Sequence, residues 1–302
     1  MGLTEDLERG PVDDHVLAGE LAEAAGRLLL GVRDETGFAD ARVLKDTGDL
    51  RAHEFLMGAL AERRPADAVL SEEGRASVAG KSSGVAAMDG PPTGNTDASV
   101  RLTADRVWII DPLDGTREFS EEGRSDWAVH VALWEKGRLA AGAVALPAQG
   151  LTLRTSPGGA LAVDTSGAAR ELRQAAPEPG RLRIAVSRSR PPAFVQRLAE
   201  RLDEAAGLKT ELVPIGSAGA KISAVLLGEV DAYVHAGGQY EWDSAAPVAV
   251  ALAAGAHASR IDGSEAVYNR KDPRLPDILV CHPESAAALL TGIRDVSDSL
   301  PE

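Results

Sequence analysis

The chain has 302 residues, 44% of them hydrophobic and 26% charged, with a formal net charge of −14, and this length suits about two globular domains. The negative charge argues against a binder of nucleic-acid polymers. The lack of an apolar run of ~18 residues argues against a membrane protein, and the lack of a secretion signal argues against an exported one. Because Cys281 is the single cysteine, no internal disulfide can form, and we expect a cytoplasmic protein.

The first half of the chain predicts helices followed by antiparallel strands. Asp13 and Asp14 precede an apolar stripe with helical spacing, and Asp49 is expected to cap a second helix that runs to Arg63. Strands are predicted at 68–70, 107–110, 127–134 and 139–146, and near 151 and 161. Residues 75–105 are rich in Gly, Ser, Pro and Thr, which predicts a flexible surface insertion.

The second half predicts strands that alternate with helices. Residues 166–180, rich in Ala, Pro and Gly, are the best linker candidate. Beyond them we expect strands at 182–186, 210–213, 232–235 and 278–281, and helices at 192–206, 218–227 and 244–254. We therefore divide the chain into an α+β domain, 1–175, and an α/β domain, 176–302.

The stretch from Trp108 to Thr116 is the most informative part of the sequence. Its apolar run is expected to be a buried strand that stops at Asp111, followed by the turn formers Pro112 and Gly115. Asp111 and Asp114 would then project from a rigid strand end, where carboxylates can hold a hard cation and backbone N–H groups can meet an anion. The same residues also suit an ordinary turn whose carboxylates bond their own backbone.

Two further acidic sites favour a metal site over a simple turn. Glu72 and Glu73 follow a predicted strand, as Asp111 does, although paired glutamates are often only solvated surface. Asp243 precedes a helix and is typical of an N-cap, a role that is compatible with facing a metal. Carboxylates from three such sites would repel one another strongly without cations, so the site should depend on metal.

These motifs together resemble the lithium-sensitive, magnesium-dependent phosphatases, the family of inositol monophosphatase and fructose-1,6-bisphosphatase. Asp111-Pro112-Leu113-Asp114-Gly115-Thr116 looks like the central motif of that family. Glu72-Glu73-Gly74 looks like its upstream element, and Trp242-Asp243-Ser244-Ala245-Ala246-Pro247 like its downstream element. The resemblance runs from the first helix to about Asn269 and implies a layered α-β-α-β-α sandwich, of mixed α+β and α/β class.

The resemblance also implies roles for individual residues. The ligands of two or three Mg²⁺ would be the side chains of Glu72, Asp111, Asp114 and Asp243 and the carbonyl of Leu113. Thr116, paired with Asp49, would orient and help deprotonate the attacking water, which the metals activate with the aid of Glu72. The backbone amides of Gly115 and Thr116 would hold the phosphate. Since the pattern around Asp49 is shorter than is usual in the family, Asp46 competes with it for this role.

Within the family, the resemblance points to the bisphosphate nucleotidase branch found in actinobacteria. The implied reaction removes the 3′-phosphate of 3′-phosphoadenosine 5′-phosphate (PAP), or of the related phosphosulfate PAPS, in sulfate assimilation. The substrate would contact Gly115, Thr116, Ser187, Arg188, Ser189, Lys221, Gln239, Glu241 and Tyr268. Tyr240 and Tyr268 are the available aromatic rings for stacking on adenine.

Other functions stay open at this point. Within the same family, inositol-1-phosphate or fructose-1,6-bisphosphate would be the substrate. Outside the enzymes, the chain would be a metal-binding regulatory protein without catalysis, although every expected ligand and Thr116 are present. The resemblance further implies inhibition by lithium and assembly as a homodimer.

Overall fold

The computed structural model describes residues 13–75, 95–174, 176–188 and 193–296. The helices are α1 (Asp14–Thr36), α2 (Ala41–Arg63), α3 (Ala98–Arg101), α4 (Thr116–Phe119), α5 (Ala193–Ala206), α6 (Ala218–Leu226), α7 (Glu241–Ala253) and α8 (Pro283–Asp295). The strands are β1 (Ala68–Ser71), β2 (Arg106–Asp114), β3 (Ala128–Glu135), β4 (Arg138–Leu146), β5 (Leu151–Ser156), β6 (Gly159–Asp164), β7 (Ala169–Glu171), β8 (Arg181–Ser187), β9 (Lys209–Ile215), β10 (Ala232–Ala236), β11 (His257–Ser259) and β12 (Asp277–Cys281).

The strands form two sheets. The first holds β1 to β7 in chain order; β1 is parallel to β2, and every later pair is antiparallel. The second has the order β11-β12-β10-β8-β9, in which β8 is parallel to β9 and β10 while β12 is antiparallel to both neighbours. Parallel β1 and β2 place Ser71 beside Ile110, so Glu72 emerges next to Asp111.

Alternating side chains divide the apolar residues into layers. On β2, Trp108 and Ile110 pack against α1 and α2, whereas Val107 and Ile109 face α6 and α7 on the other side of the sheet. The second sheet covers α6 and α7 from the opposite side and packs its outer face against α5 and α8. The five-layer α-β-α-β-α sandwich expected from the resemblance is therefore confirmed.

Three boundary predictions are wrong. Asp243, expected as an N-cap, is the third residue of α7, whose N-cap is Tyr240. The second helix begins at Ala41, because the Asp40 carboxylate accepts the N–H groups of Arg42 (3.0 Å) and Val43 (3.1 Å), so Asp49 lies inside α2 and is not its cap. The central strand does not stop at Asp111 but runs on to Asp114. Its pairing with β3 shifts register between these two aspartates, across Pro112, which has no N–H to donate.

Other parts of the chain are more structured than the sequence suggested. The predicted insertion contains α3 in its described part, while residues 76–94 lie outside the described residues. Strand β7 lies inside the predicted linker, and β11 and α8 were not predicted. The domain boundary near residue 175 stays a prediction, since the sheets lie on either side of it but α6 and α7 pack on both. In the described part of the chain, no helix has the length and apolarity to cross a bilayer.

Candidate active site

The carboxylates predicted to bind metal converge at one end of the first sheet. Oxygen atoms of Asp111, Asp114 and Asp243 all lie within 4.8 Å of one another. Glu72 joins them from the end of β1: its backbone N–H donates to the Ile110 carbonyl at 3.3 Å, and its carboxylate accepts a hydrogen bond from the Asp111 carboxyl. Residues from three separate stretches of the chain thus form one acidic cluster.

The turn after β2 is held by its own backbone. The Leu113 N–H donates to Oδ1 of Asp111 at 3.1 Å, and the Thr116 hydroxyl donates to the Leu113 carbonyl at 3.4 Å. Gly115 has φ of 86°, a region that favours glycine, and a Cβ placed there would lie 2.8 Å from the Cβ of Ser217. The glycine therefore allows this turn to approach the start of α6.

Asp114 is bound from three sides. It accepts the N–H of Gly219 at 2.6 Å and that of Ala218 at 3.3 Å, and Nε2 of His130 lies 3.2 Å from its Oδ2. Burial alone would raise the pKa of Asp114, but the charge of His130 and these hydrogen bonds outweigh burial and lower it. Asp114 is thus the member of the cluster that is held ionised by the protein itself.

His130 is a site residue that the sequence analysis missed. It is fully buried on β3, and its Nδ1 lies 3.0 Å from the Trp242 carbonyl, so it links β2 to the helix that carries Asp243. Burial lowers the pKa of His130, but the Asp114 carboxylate outweighs burial and the net shift is upward. The sequence offered a histidine in the middle of an apolar strand, but its pairing with Asp111 in the β2–β3 register appears only in the structure.

The surroundings of the other carboxylates disfavour their ionised form and raise their pKa values. Asp243, whose oxygen accepts the Tyr240 N–H at 2.6 Å, has its pKa raised to about 7 by burial and by the charge of Asp114. Solvent reaches Glu72, yet the surrounding protein and the charges of Asp243 and Glu73 raise its pKa to about 8. Burial and Glu72 raise the pKa of Asp111 well above its usual value.

This donor set suits a hard divalent cation. All the side-chain donors are carboxylate oxygens, the type of ligand that Mg²⁺ prefers. Burial and mutual repulsion raise the pKa values of Glu72, Asp111 and Asp243, and a bound cation would offset both effects. The residues present therefore fit a metal centre of the expected kind.

Asp49 and Asp46 are separated by their position on α2. Asp49 is half-buried, and burial followed by the charge of Glu73 raises its pKa to about 8, which places it beside the acidic cluster. Asp46 points outward with 71% of its side chain exposed, 3.6 Å from Arg42. Between the two candidates for the water-activating role, the geometry favours Asp49.

Lys221 lies close enough to the cluster to face the charges of Asp114 and Asp243, and three other predicted substrate residues lie on separate segments. Lys221 is buried on α6, donates to the Gly216 carbonyl and lies 5.3 Å from the centre of the Tyr233 ring; burial lowers its pKa. Arg188 pairs with Glu118 at 3.0 Å and Glu121 at 2.8 Å. The two remaining members of this set are Ser187, at the carboxyl end of β8, and Gln239.

Two other predicted substrate residues are in the core. Glu241 is fully buried and accepts the N–H groups of Asn269 (2.7 Å) and Arg270 (2.8 Å), which uses its carboxylate inside the protein. Tyr268 is 5% exposed and its hydroxyl lies 3.1 Å from that of Ser244, so its ring offers no free face to adenine. The polar groups of both side chains are occupied inside the folded chain, and contact of these residues with the substrate stays a prediction.

The remaining predictions concern one serine and one tyrosine. Ser189 lies outside the described residues. Tyr240 is half-buried and stacks on Trp242, with ring centroids 4.8 Å apart and planes 9° from parallel. One face of its ring is therefore already covered.

Comparisons with known proteins agree with this geometry. The model of the inositol monophosphatase family matches residues 17–297. A Mycobacterium leprae protein named 3′-phosphoadenosine 5′-phosphate phosphatase is 48% identical over 292 residues, covering 94% of each chain. A Mycobacterium bovis protein of the same name is 50% identical over 277 residues, covering 90% of each chain. The crystal structure of CysQ from Bacteroides thetaiotaomicron shares the fold, with a TM-score of 0.71 at 24% identity over 89% of this chain and 96% of that one.

Proposed function

The chain belongs to the inositol monophosphatase family, and on this premise we propose that it hydrolyses the 3′-phosphate of PAP, or of the related PAPS, in sulfate assimilation. With PAP as substrate, the products are AMP and inorganic phosphate. The observation that carries the proposal is the high identity, over nearly the whole chain, to the two mycobacterial proteins named for PAP hydrolysis. Hydrolysis of a phosphate monoester needs positive charge at the transferring phosphate. The acidic cluster supports this reaction type because it can hold the divalent cations that would supply that charge.

We propose Mg²⁺, two or three ions per site, as the cofactor of this reaction. Its ligands would be Glu72, Asp111, Asp114, Asp243 and the carbonyl of Leu113. When bound, these ions would supply Lewis-acid activation of water and neutralise charge on the transferring phosphate. The clustered carboxylate oxygens and their raised pKa values support this assignment.

The chain's own residues would move the proton and hold the phosphate. Burial and the charge of Glu73 raise the pKa of Asp49 in the metal-free site, and the positive charge of nearby Mg²⁺ would lower it again and leave the carboxylate ionised to accept a proton. Thr116 would orient the attacking water and pass its proton to Asp49, while the N–H groups of Gly115 and Thr116 hold phosphate oxygens. The new bond joins the water oxygen to phosphorus, the bond from phosphorus to the 3′-oxygen breaks, and the 3′-oxygen takes up a proton.

The nucleotide would be bound by the second sheet and α6. Lys221 and Arg188 supply positive charge for the 5′-phosphate, and Ser187 lies at the adjoining strand end. The Oε1 atom of Gln239 is buried without a hydrogen-bond partner among the described residues, which suits a donor from the substrate. No adenine-stacking ring is assigned, since Tyr268 is buried in the core.

The decisive test is phosphate release with Mg²⁺ from PAP, inositol-1-phosphate and fructose-1,6-bisphosphate, compared by kcat/KM. We expect a preference for PAP of about 100-fold or more, because inositol-1-phosphate has no second phosphate to meet Lys221 and Arg188, and fructose-1,6-bisphosphate carries its second phosphate on a smaller frame without an adenine. Comparable values for the three substrates would contradict the nucleotide assignment and leave a general phosphatase. If wild type and Asp114→Asn released no phosphate from any of them, the chain would be the metal-binding regulatory protein instead.

Three further features stay predictions. They are assembly as a homodimer, inhibition by lithium and a cytoplasmic location.

A further inference from the structure

The segment 95–101 is joined to the strand that precedes Glu72. The Asn95 side chain accepts the Ser71 N–H at 2.6 Å and donates to the Ser71 carbonyl at 3.0 Å, so it pairs with that residue as a neighbouring strand would. Thr96 repeats this pairing with Val69 through its hydroxyl (2.9 Å) and its N–H (3.1 Å). The close approach needs Gly74, because a Cβ there would lie 2.2 Å from the Asn95 oxygen.

The other end of the segment is joined to the loop between β11 and β12. Arg101, the last residue of α3, is only 3% exposed. Its guanidinium donates to the Asn269 side-chain oxygen and, at 2.9 Å, to the Arg270 carbonyl, and Asn269 returns a bond to the Arg101 carbonyl at 3.4 Å. A planar guanidinium suits this arrangement, since it presents several donors in one fixed plane.

The loop that Arg101 binds is in turn joined to the first residue of α7. The Glu241 carboxylate accepts the backbone N–H groups of Asn269 and Arg270, the same two residues that accept from Arg101, and its negative charge faces the Arg101 cation. Glu241 begins the helix whose first turn carries Asp243. Two sets of hydrogen bonds, joined through the backbone of α3, thus connect Ser71, next to Glu72, to the helix of Asp243.

We propose that Arg101 is a positioning residue that sets the separation between the Glu72 and Asp243 sides of the metal site. The inference rests on the proposed function, since it takes this site to bind Mg²⁺. Arg101 touches no metal ligand; it acts through Asn269 and Glu241 on α7. Residues that hydrogen-bond a metal ligand directly commonly change metal affinity by about 10- to 100-fold when they are mutated, and Arg101, which acts one step further out, is expected near the lower end of that range.

The test is a calorimetric titration of Mg²⁺ into wild type, Arg101→Met and Arg101→Lys. We expect the Kd for Mg²⁺ to rise about 10-fold or more in both variants, because neither side chain bridges two acceptors in one plane. Activity should show the same pattern: a higher KM for Mg²⁺, with kcat at saturating Mg²⁺ within about threefold of wild type. Arg101→Lys keeps the charge and most of the length, and it supplies the measurement if Arg101→Met does not fold.

Arg183→Met is the matched control. Arg183 also binds backbone carbonyls and a carboxylate, that of Asp231, but it lies on β8 and contacts neither metal-bearing segment. We expect this variant to lose stability and keep its Mg²⁺ affinity. If both Arg101 variants bound Mg²⁺ within about twofold of wild type, the inference would be overturned while the proposed function stood. A wild type that bound no Mg²⁺ would overturn both.

Discussion

Replacing Asp243 with asparagine should stabilise the metal-free protein at alkaline pH while abolishing its phosphatase activity. Asparagine has the same shape and can still accept the Tyr240 N–H that Asp243 accepts at 2.6 Å. It carries no charge, so it escapes the burial and the repulsion from Asp114 that raise the pKa of Asp243. The substitution therefore removes an unfavourable charge from the fold and a ligand from the metal site.

The size of the effect follows from the pKa shift. The pKa of Asp243 is raised from 3.8 to about 7 in the folded chain. A raised pKa means that the folded state holds this proton more tightly, so the contribution of Asp243 to stability is most favourable below about pH 4 and is lost as the pH rises to about 7. Each pKa unit corresponds to about 1.4 kcal/mol, which gives an upper limit of roughly 4 kcal/mol for the gain at about pH 8 and almost none at about pH 4.

The assay is urea unfolding with a chelator, at about pH 4 and about pH 8, for wild type and Asp243→Asn. The control is Asp231→Asn, which removes a buried carboxylate that is ion-paired with Arg183 at 2.8 Å and should destabilise by about 1–3 kcal/mol. With Mg²⁺ present, the gap should narrow and then close, because only wild type gains about 2.7 kcal/mol at 100 times Kd and about 4.1 kcal/mol at 1,000 times Kd. A metal-free Asp243→Asn protein no more stable than wild type at about pH 8 would refute the reasoning.

Further predictions concern α2 and the acidic cluster. Asp49→Asn should lower kcat by about 100-fold or more, whereas Asp46→Asn should stay within about threefold of wild type in initial rates; equal losses would contradict the assignment. Gly48→Ala should destabilise the fold by about 1–3 kcal/mol, because its Cβ would lie 2.7 Å from the Phe119 ring. The control is Gly58→Ala in the same helix, whose Cβ meets no atom and which should stabilise the fold by up to about 1 kcal/mol; both are measured by urea unfolding. Mg²⁺ binding at about pH 7 should release about one to two protons, measured as a dependence of the calorimetric enthalpy on buffer; no dependence would argue against protonated carboxylates in the metal-free site.

Much of the fold could be predicted because its signals are local. The alternation in β2 between Val107 and Ile109 on one face and Trp108 and Ile110 on the other is a property of four adjacent residues, and so is the strand assignment. The start of α2 was missed because Asp40 and Asp49 are both good N-caps by residue type. Only the hydrogen bonds from Arg42 and Val43 show that Asp40 is the cap.

The site residues that could be predicted are likewise those marked by a local sequence motif. Asp111 and Asp114 were predicted from one short motif, whose spacing is set by a single turn. His130 was missed because its role depends on strand pairing and on a carbonyl from α7, which no local pattern reveals. The core positions of Glu241 and Tyr268 could not be predicted, because a polar side chain near a motif can face the core as well as a ligand, and only tertiary contacts show which.

Helices α6 and α7, the layer packed between the two sheets, have a consequence for synthesis of the protein. The first sheet is complete once β7 has been made, but its inner apolar face is covered by α6 and α7, which follow later in the chain. A ribosome adding about 5–20 residues per second needs roughly 4–16 s for the intervening stretch of about 80 residues. During that time the apolar face of the nascent sheet is exposed to solvent. We expect chaperones to bind this face, and we expect refolding to be slow until α6 and α7 cover it.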